Sequence, residues 1–180
     1  SALKLQRAAS RSGLVRIEIN MPGDDEDVPA RAVEEKLSSG RAALKASEAY
    51  DVGEGTPLRE AILKALSSPQ KDDGEIQLVV LSVDPKGKRS ELGVCRVHLE
   101  DDVLGKGADL PPTPLPITDE SGAVVGELTC AVKALAALAE MGKSAHADTI
   151  ALDVHELKLS APPTARGGLL PAPSVGCVGA

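Results

Sequence analysis

A chain of 180 residues with one tyrosine, Tyr50, and neither phenylalanine nor tryptophan must assemble its core from Leu, Ile, Val and Ala. Such a core is a mosaic of small aliphatic contributions, and functions built on aromatic stacking are disfavoured. The length allows one domain of roughly 100–150 residues plus flanking chain. Acidic residues outnumber basic ones by 27 to 20, for a net charge of -7. That balance removes the electrostatic attraction on which sequence-independent binding to phosphate backbones rests, so it argues against nucleic acid as a partner.

Three cysteines, Cys95, Cys130 and Cys177, are odd in number and far apart, with no C-x-x-C pair. They read as reduced thiols of an intracellular protein rather than a disulfide framework or a zinc site. No apolar run approaches the roughly 20 residues that cross a bilayer, and the start of the chain has no secretory apolar stretch. A soluble protein is expected.

Aliphatic alternation locates the strands. Leu14–Asn20 places Val15, Ile17 and Ile19 on one face against Arg16 and Glu18, which is the period of a half-buried strand. Glu75–Asp84 is a β-branched run ended by Pro85 and Gly87, and Leu92–Leu99, Leu115–Thr118 and Ala123–Ala131 follow as further strands. Loops rather than helices separate these runs, which favours an antiparallel sandwich over a parallel sheet. Thr56 before Pro57 is an N-cap followed by proline at the first helical position, and Leu58, Ile62 and Leu66 share one face, so a short helix spans Pro57 to about Leu66. Residues 31–50 are rich in Ala, Glu and Lys and favour helix, interrupted at Ser38-Ser39-Gly40. Val132–Met141 either extends a strand or turns into a short helix.

Thr149–Leu159 alternates again through Ile150, Leu152 and Val154. Ala151-Leu152-Asp153-Val154 echoes Arg16-Ile17-Glu18-Ile19 at an offset of 135 residues. Two readings stand: a last strand of the same sheet, or the opening strand of a second domain. The expected organisation is a basic tail over 1–13, a β domain over 14–141, linker and strand over 142–160, and a flexible Pro/Gly/Ala-rich tail over 161–180.

Catalytic patterns are missing from the sequence. Cys95 and His98 lie three apart on a strand and point to opposite faces, so they form no nucleophile–base pair. His146 and His155 have no second ligand at metal spacing and read as surface histidines. Gly53-Glu54-Gly55 lacks a phosphate-binding lysine, and no G-x-S-x-G elbow occurs. Asp24-Asp25-Glu26-Asp27 lacks the alternation of a calcium loop and reads as solvated. No catalytic, cofactor-binding or metal residues are assigned, and the chain reads as a non-enzyme without cofactor. Val94, Val97 and Leu99 are core or interface candidates.

Leu58-Arg59-Glu60-Ala61-Ile62-Leu63-Lys64-Ala65-Leu66, then Gly74-Glu75-Ile76, Val79-Val80, Glu91-Leu92-Gly93 and Gly126-Glu127-Leu128 before Ala134-Leu135-Ala136-Ala137-Leu138, run in an order that resembles the C2 domains of the retinitis pigmentosa GTPase regulator-interacting protein family. The likeness covers about half the chain. It implies an eight-stranded antiparallel C2-type β-sandwich serving as a protein-binding module in a scaffold of the ciliary transition zone or basal body. By the echo at an offset of 135 residues, residues 142–160 open a tandem C2-like domain if they do not close this sheet.

Calcium-dependent C2 domains hold the ion with aspartates from two loops, one of which corresponds to Ser82–Glu91 here. Only Asp84 stands at such a position, with Ser82 and Ser90 near the others, and Lys86, Lys88 and Arg89 oppose a divalent cation. A calcium-independent module is therefore expected. Lys86, Lys88 and Arg89 are the candidate contacts for a partner or for anionic lipid, where each adds about 1 kcal/mol. Without an apolar anchor that attachment is marginal, so a phospholipid-binding C2 module in trafficking is the alternative reading.

Overall fold

The structure is a computed structural model that describes residues 12–23, 31–38, 40–141 and 149–159. The acidic cluster 24–27, His146, Cys177, Ser39, the basic residues Lys4, Arg7 and Arg11, and the segments 142–148 and 160–180 lie outside the described residues.

Eight antiparallel strands close into a barrel in the order β1-β2-β3-β8-β7-β6-β5-β4. They are β1 (Ser12–Asn20), β2 (Arg31–Ser38), β3 (Arg41–Asp51), β4 (Glu75–Val83), β5 (Arg89–His98), β6 (Leu110–Thr118), β7 (Val124–Lys133) and β8 (Thr149–Leu159). Helix α1 (Pro57–Leu66) and a seven-residue α2 (Leu135–Met141) lie between them. The expected open sandwich is thus corrected to a closed barrel. Both edges that a sandwich would leave free are bridged: a turn at Gly40, with φ of 76°, brings Ser38 opposite Arg41, and Val94 meets Thr118 between β5 and β6.

Gly93 permits the second bridge, because a Cβ there would sit 2.6 Å from the Thr118 carbonyl oxygen. Those two seams carry one Cα pair each, whereas the other six neighbours are laddered along most of their length.

The helical expectation for residues 31–50 is also corrected, to β2 and β3. Ala42, Leu44 and Tyr50 are buried while Arg41, Ala43, Lys45 and Ala49 are exposed, so the period is two. Helix propensity differs among these residue types by tenths of a kcal/mol, and burying an aliphatic side chain outweighs it at about 1.5–3 kcal/mol. The helix Pro57–Leu66 forms as its cap predicts, with Thr56 Oγ1 accepting the Arg59 N–H at 3.3 Å. Arg59 then donates to the carbonyls of Val52 and Met141, fixing α1 against the ends of β3 and α2.

Alternation fills the barrel with aliphatics. Val15, Ile17 and Ile19 of β1 face Ile76, Leu78 and Val80 of β4 and Ile150, Leu152 and Val154 of β8 in one buried cluster. Val97 and Leu99 belong to that core, and Val94 is half-buried. β8 lies between β3 and β7. Its inward phase passes from Val154 to Leu157 across a register shift, which leaves His155 exposed at the break.

Candidate functional site

The β4–β5 hairpin carries the cations expected at a contact surface. Asp84 Oδ1 accepts the main-chain N–H groups of Lys86 and Lys88, each at 2.8 Å, and Gly87 turns the chain at φ of 81°. Lys86 and Lys88 are exposed at the tip. Arg89 is drawn away from them, its Nη1 donating to Glu18 Oε1 on β1 at 3.3 Å. Glu18 also accepts Arg16 Nε at 2.7 Å, and Arg16 Nη1 donates to Glu34 at 2.8 Å, so Arg89 joins a surface network across β1 and β2. Ser82 Oγ donates to the Ser90 carbonyl, so that hydroxyl serves the hairpin too. The three sequence-predicted cations therefore divide, two at the tip and one along the wall.

At the opposite end of the barrel the acidic side chains are taken up by local structure. Asp102 accepts the His98 N–H at 3.0 Å and Lys106 Nζ at 2.9 Å. Partial burial alone would raise this carboxyl, but those two donors outweigh it and hold it below the usual carboxylate range. Asp109 Oδ1 caps α2 by accepting the N–H groups of Ala134 and Leu135.

Glu75 is buried, its side chain 4% exposed, with Arg96 Nε at 3.3 Å and His98 Nδ1 at 3.4 Å. Arg96 and His98 alternate on β5 opposite Gln77 and Glu75 of β4, so cross-strand register makes this cluster. It neutralises a buried carboxylate, and it escapes a reading that treats each strand alone.

Cys95 and Cys130 are both fully buried, and their thiols contact each other across the core between β5 and β7. The hydrogen bond to Cys130, together with burial, holds the Cys95 thiol far above an ordinary thiol pKa. His98 does not approach as a base: Cys95 faces the core while His98 lies at the rim beside Glu75. Among the described residues no group of three or more His, Cys, Asp or Glu side chains is placed to hold a metal ion.

The feature the sequence reading missed is the β2–β3 seam. Beyond Ser38–Arg41 the two strands form no ladder among the described residues. Arg31 spans the seam at its far end, donating from Nη1 to the Ala49 carbonyl at 2.7 Å and to Glu48 Oε2 at 3.2 Å, with its guanidinium 4.3 Å from the centre of the Tyr50 ring. Between that clamp and the turn lies a cleft of about 780 Å³ lined by Glu35, Lys36, Ser38, Arg41, Ala42, Ala43, Lys45, His155 and Glu156. The signal in the sequence is the two-residue period of Ala42, Leu44 and Tyr50, which the helix-favouring composition around it hides.

These residues define a small antiparallel barrel whose polar groups make turns, caps and clamps, with a charged cleft on one incompletely laddered seam. Residues 14–144 match the family described as Retinitis pigmentosa G-protein regulator interacting C-terminal, and the chain belongs to that family. The match begins within β1 and ends before β8, so the strand that sits between β3 and β7 lies outside it. No curated protein and no solved structure matches the chain. No helix among the described residues is long and apolar enough to cross a membrane.

Proposed function

We propose that this chain is a non-catalytic protein-binding module that engages the retinitis pigmentosa G-protein regulator without calcium, as part of a scaffold of the ciliary transition zone or basal body. Family membership carries this reading, since the family is described by its interaction with that regulator. The geometry is consistent with it. The turn engages the Asp84 carboxylate through two main-chain N–H bonds, and Lys86 and Lys88 stand beside it, an arrangement that disfavours a divalent cation. An incompletely paired strand edge and a cleft are features through which small β domains hold partners.

The test is calorimetric titration of the protein with the regulator, with calcium and with chelator. Binding of equal strength in both conditions is expected. Loss of regulator binding in chelator overturns calcium independence, and absence of binding in either condition overturns the partner assignment. Sedimentation with anionic liposomes completes the test: co-sedimentation that K86E/K88E abolishes favours the lipid-binding alternative acting through Lys86 and Lys88, and calcium-triggered co-sedimentation overturns calcium independence.

A further inference from the structure

The two seams of the barrel differ in what blocks them. β6 contains Pro111, Pro112, Pro114 and Pro116, and proline has no N–H with which to pair a new strand. Arg96 Nη1 also donates to Thr118 Oγ1 there, and Thr118 Oγ1 donates to the Val94 carbonyl. β2 and β3 contain no proline. Between the turn at Gly40 and the Arg31 clamp, residues 32–37 and 42–48 face each other without ladder pairing among the described residues. Unpaired strand edges of this kind are templates for an added strand.

The charges around the cleft are uneven. Lys36, Arg41 and Lys45 are exposed, and their side chains make no ion pair or hydrogen bond among the described residues. The neighbouring carboxylates are engaged: Glu35 Oε1 accepts the Lys36 N–H at 2.9 Å, and Glu156 pairs with Lys158 Nζ at 3.3 Å. His155 stands at the β8 phase break as a further donor. On a chain of net charge -7, Lys36, Arg41 and Lys45 outnumber the two carboxylates of the cleft, Glu35 and Glu156, of which Glu156 is already paired with Lys158, and they stand beside unpaired main chain.

We propose that the β2–β3 cleft takes an extended acidic segment of a partner protein, its main chain pairing with the free strand edges and its carboxylates set against Lys36, Arg41 and Lys45. This rests on the protein-binding reading above and names the surface that serves it. Main-chain pairing supplies affinity, while the three cations select for acidic sequence and speed association.

The probe is a fluorescein-labelled decapeptide of alternating Glu and Thr, with its Lys-Thr counterpart as control, read by fluorescence polarisation. The expected result is binding of the Glu-Thr peptide alone, weakened by high salt and weakened about tenfold or more by K36E/R41E/K45E. The K86E/K88E variant, which reverses two cations on the β4–β5 tip, should bind the peptide as the parent does. Circular dichroism melts establish that both variants are folded. Amide hydrogen exchange of the unmutated protein gives a second readout, with peptide-dependent protection expected in 32–37 and 42–48. No peptide binding up to millimolar concentration, equal binding of the Lys-Thr peptide, equal binding by the folded triple variant, or protection confined to another surface overturns the proposal. Regulator binding that the acidic peptide does not compete with overturns the proposal and leaves the protein-binding reading intact. Peptide binding at the cleft without any regulator binding supports the proposal and removes the named partner.

Discussion

Asp84 and Asp119 close two different hairpins with the same set of bonds. In each, Oδ1 accepts the main-chain N–H groups two and four residues on: Lys86 and Lys88 at 2.8 Å in one, Ser121 at 2.9 Å and Ala123 at 3.0 Å in the other. In each, the aspartate N–H donates to the carbonyl four residues on at 3.0 Å, and a glycine at φ of about 80°, Gly87 or Gly122, turns the chain. The repetition assigns Asp84 to turn formation. Asp84→Ala should therefore cost about 1 kcal/mol of stability through the lost hydrogen bonds. Thermal melts of parent and variant with and without calcium check this: the expected result is a lower melting temperature and the same response to calcium in both.

The Asp119 carboxyl is held below the usual carboxylate range by the Ser121 hydroxyl first and the Ala123 N–H second. A group whose folded pKa is depressed stabilises the fold above its unfolded pKa of about 3.9, and that contribution disappears as pH falls through the folded value. Stability attributable to Asp119 should therefore decline only below about pH 4. Carbon-detected titration of the side chain should show a midpoint below that of a model aspartate, and Asp119→Asn should remove the corresponding part of the acid limb of the stability curve.

Two of the three motif glycines that carried the family resemblance, Gly93 and Gly126, have mechanical reasons to be glycine. A Cβ on Gly126 would run into the Lys158 carbonyl oxygen across the β7–β8 ladder, and one on Gly93, at φ of 156°, would strike the Thr118 carbonyl. Gly55, at φ of 81°, has open space around it. Gly126→Ala and Gly93→Ala are expected to destabilise by on the order of 2–4 kcal/mol through backbone displacement, and Gly55→Ala by about 1–2 kcal/mol from its left-handed conformation alone. Urea unfolding of the three variants ranks them; equal losses at all three positions would remove the close-approach explanation.

Strands whose buried faces alternate without interruption were legible from sequence, as Val15, Ile17 and Ile19 show, and so was α1 from Thr56 and Pro57. β2 and β3 were not, because Ala, Glu and Lys favour helix locally while the burial of Leu44 and Tyr50 that decides the matter is tertiary. Closure was hidden for a related reason. It depends on Gly93 allowing Val94 to meet Thr118, and on the turn at Gly40 leading into β3, which are relations between segments. For the site, the β4–β5 cations were visible in the linear order, but the cleft joins β2, β3 and the phase break at His155, residues that only the barrel assembles.

Cys95 and Cys130 give a chemical probe of that closure. With its thiol bonded to Cys130 and shut from water, Cys95 keeps its proton at pH values where an unfolded cysteine, with a pKa of about 8.5, has lost it. The contribution of Cys95 to stability is full below that pH and falls as pH rises towards its folded pKa. Alkylation by iodoacetamide at neutral pH, in a Cys177→Ala background, should proceed only as fast as the barrel opens, and should accelerate with denaturant. Rapid labelling of the folded protein would show that water reaches the core between β5 and β7.

Arg31 and Tyr50 offer an optical view of the seam where the cleft lies. Tyr50 is the protein's single aromatic residue, so tyrosine fluorescence reports this one position, and the Arg31 guanidinium lies over its ring while bonding to Ala49 and Glu48 of β3. Arg31→Lys keeps the charge but loses the planar group that stacks and bonds at once. Half of the Arg31 side chain is exposed, so solvent screening limits the expected loss to about 1 kcal/mol or less. The spectroscopic change should be larger than the energetic one: altered Tyr50 emission and stronger acrylamide quenching, with faster amide exchange in β2 and little change in β4. If quenching and β2 exchange are the same in Arg31→Lys as in the parent, the clamp does not hold the seam, and β2 is kept in place by its ladder to β1 and the Ser38–Arg41 pair.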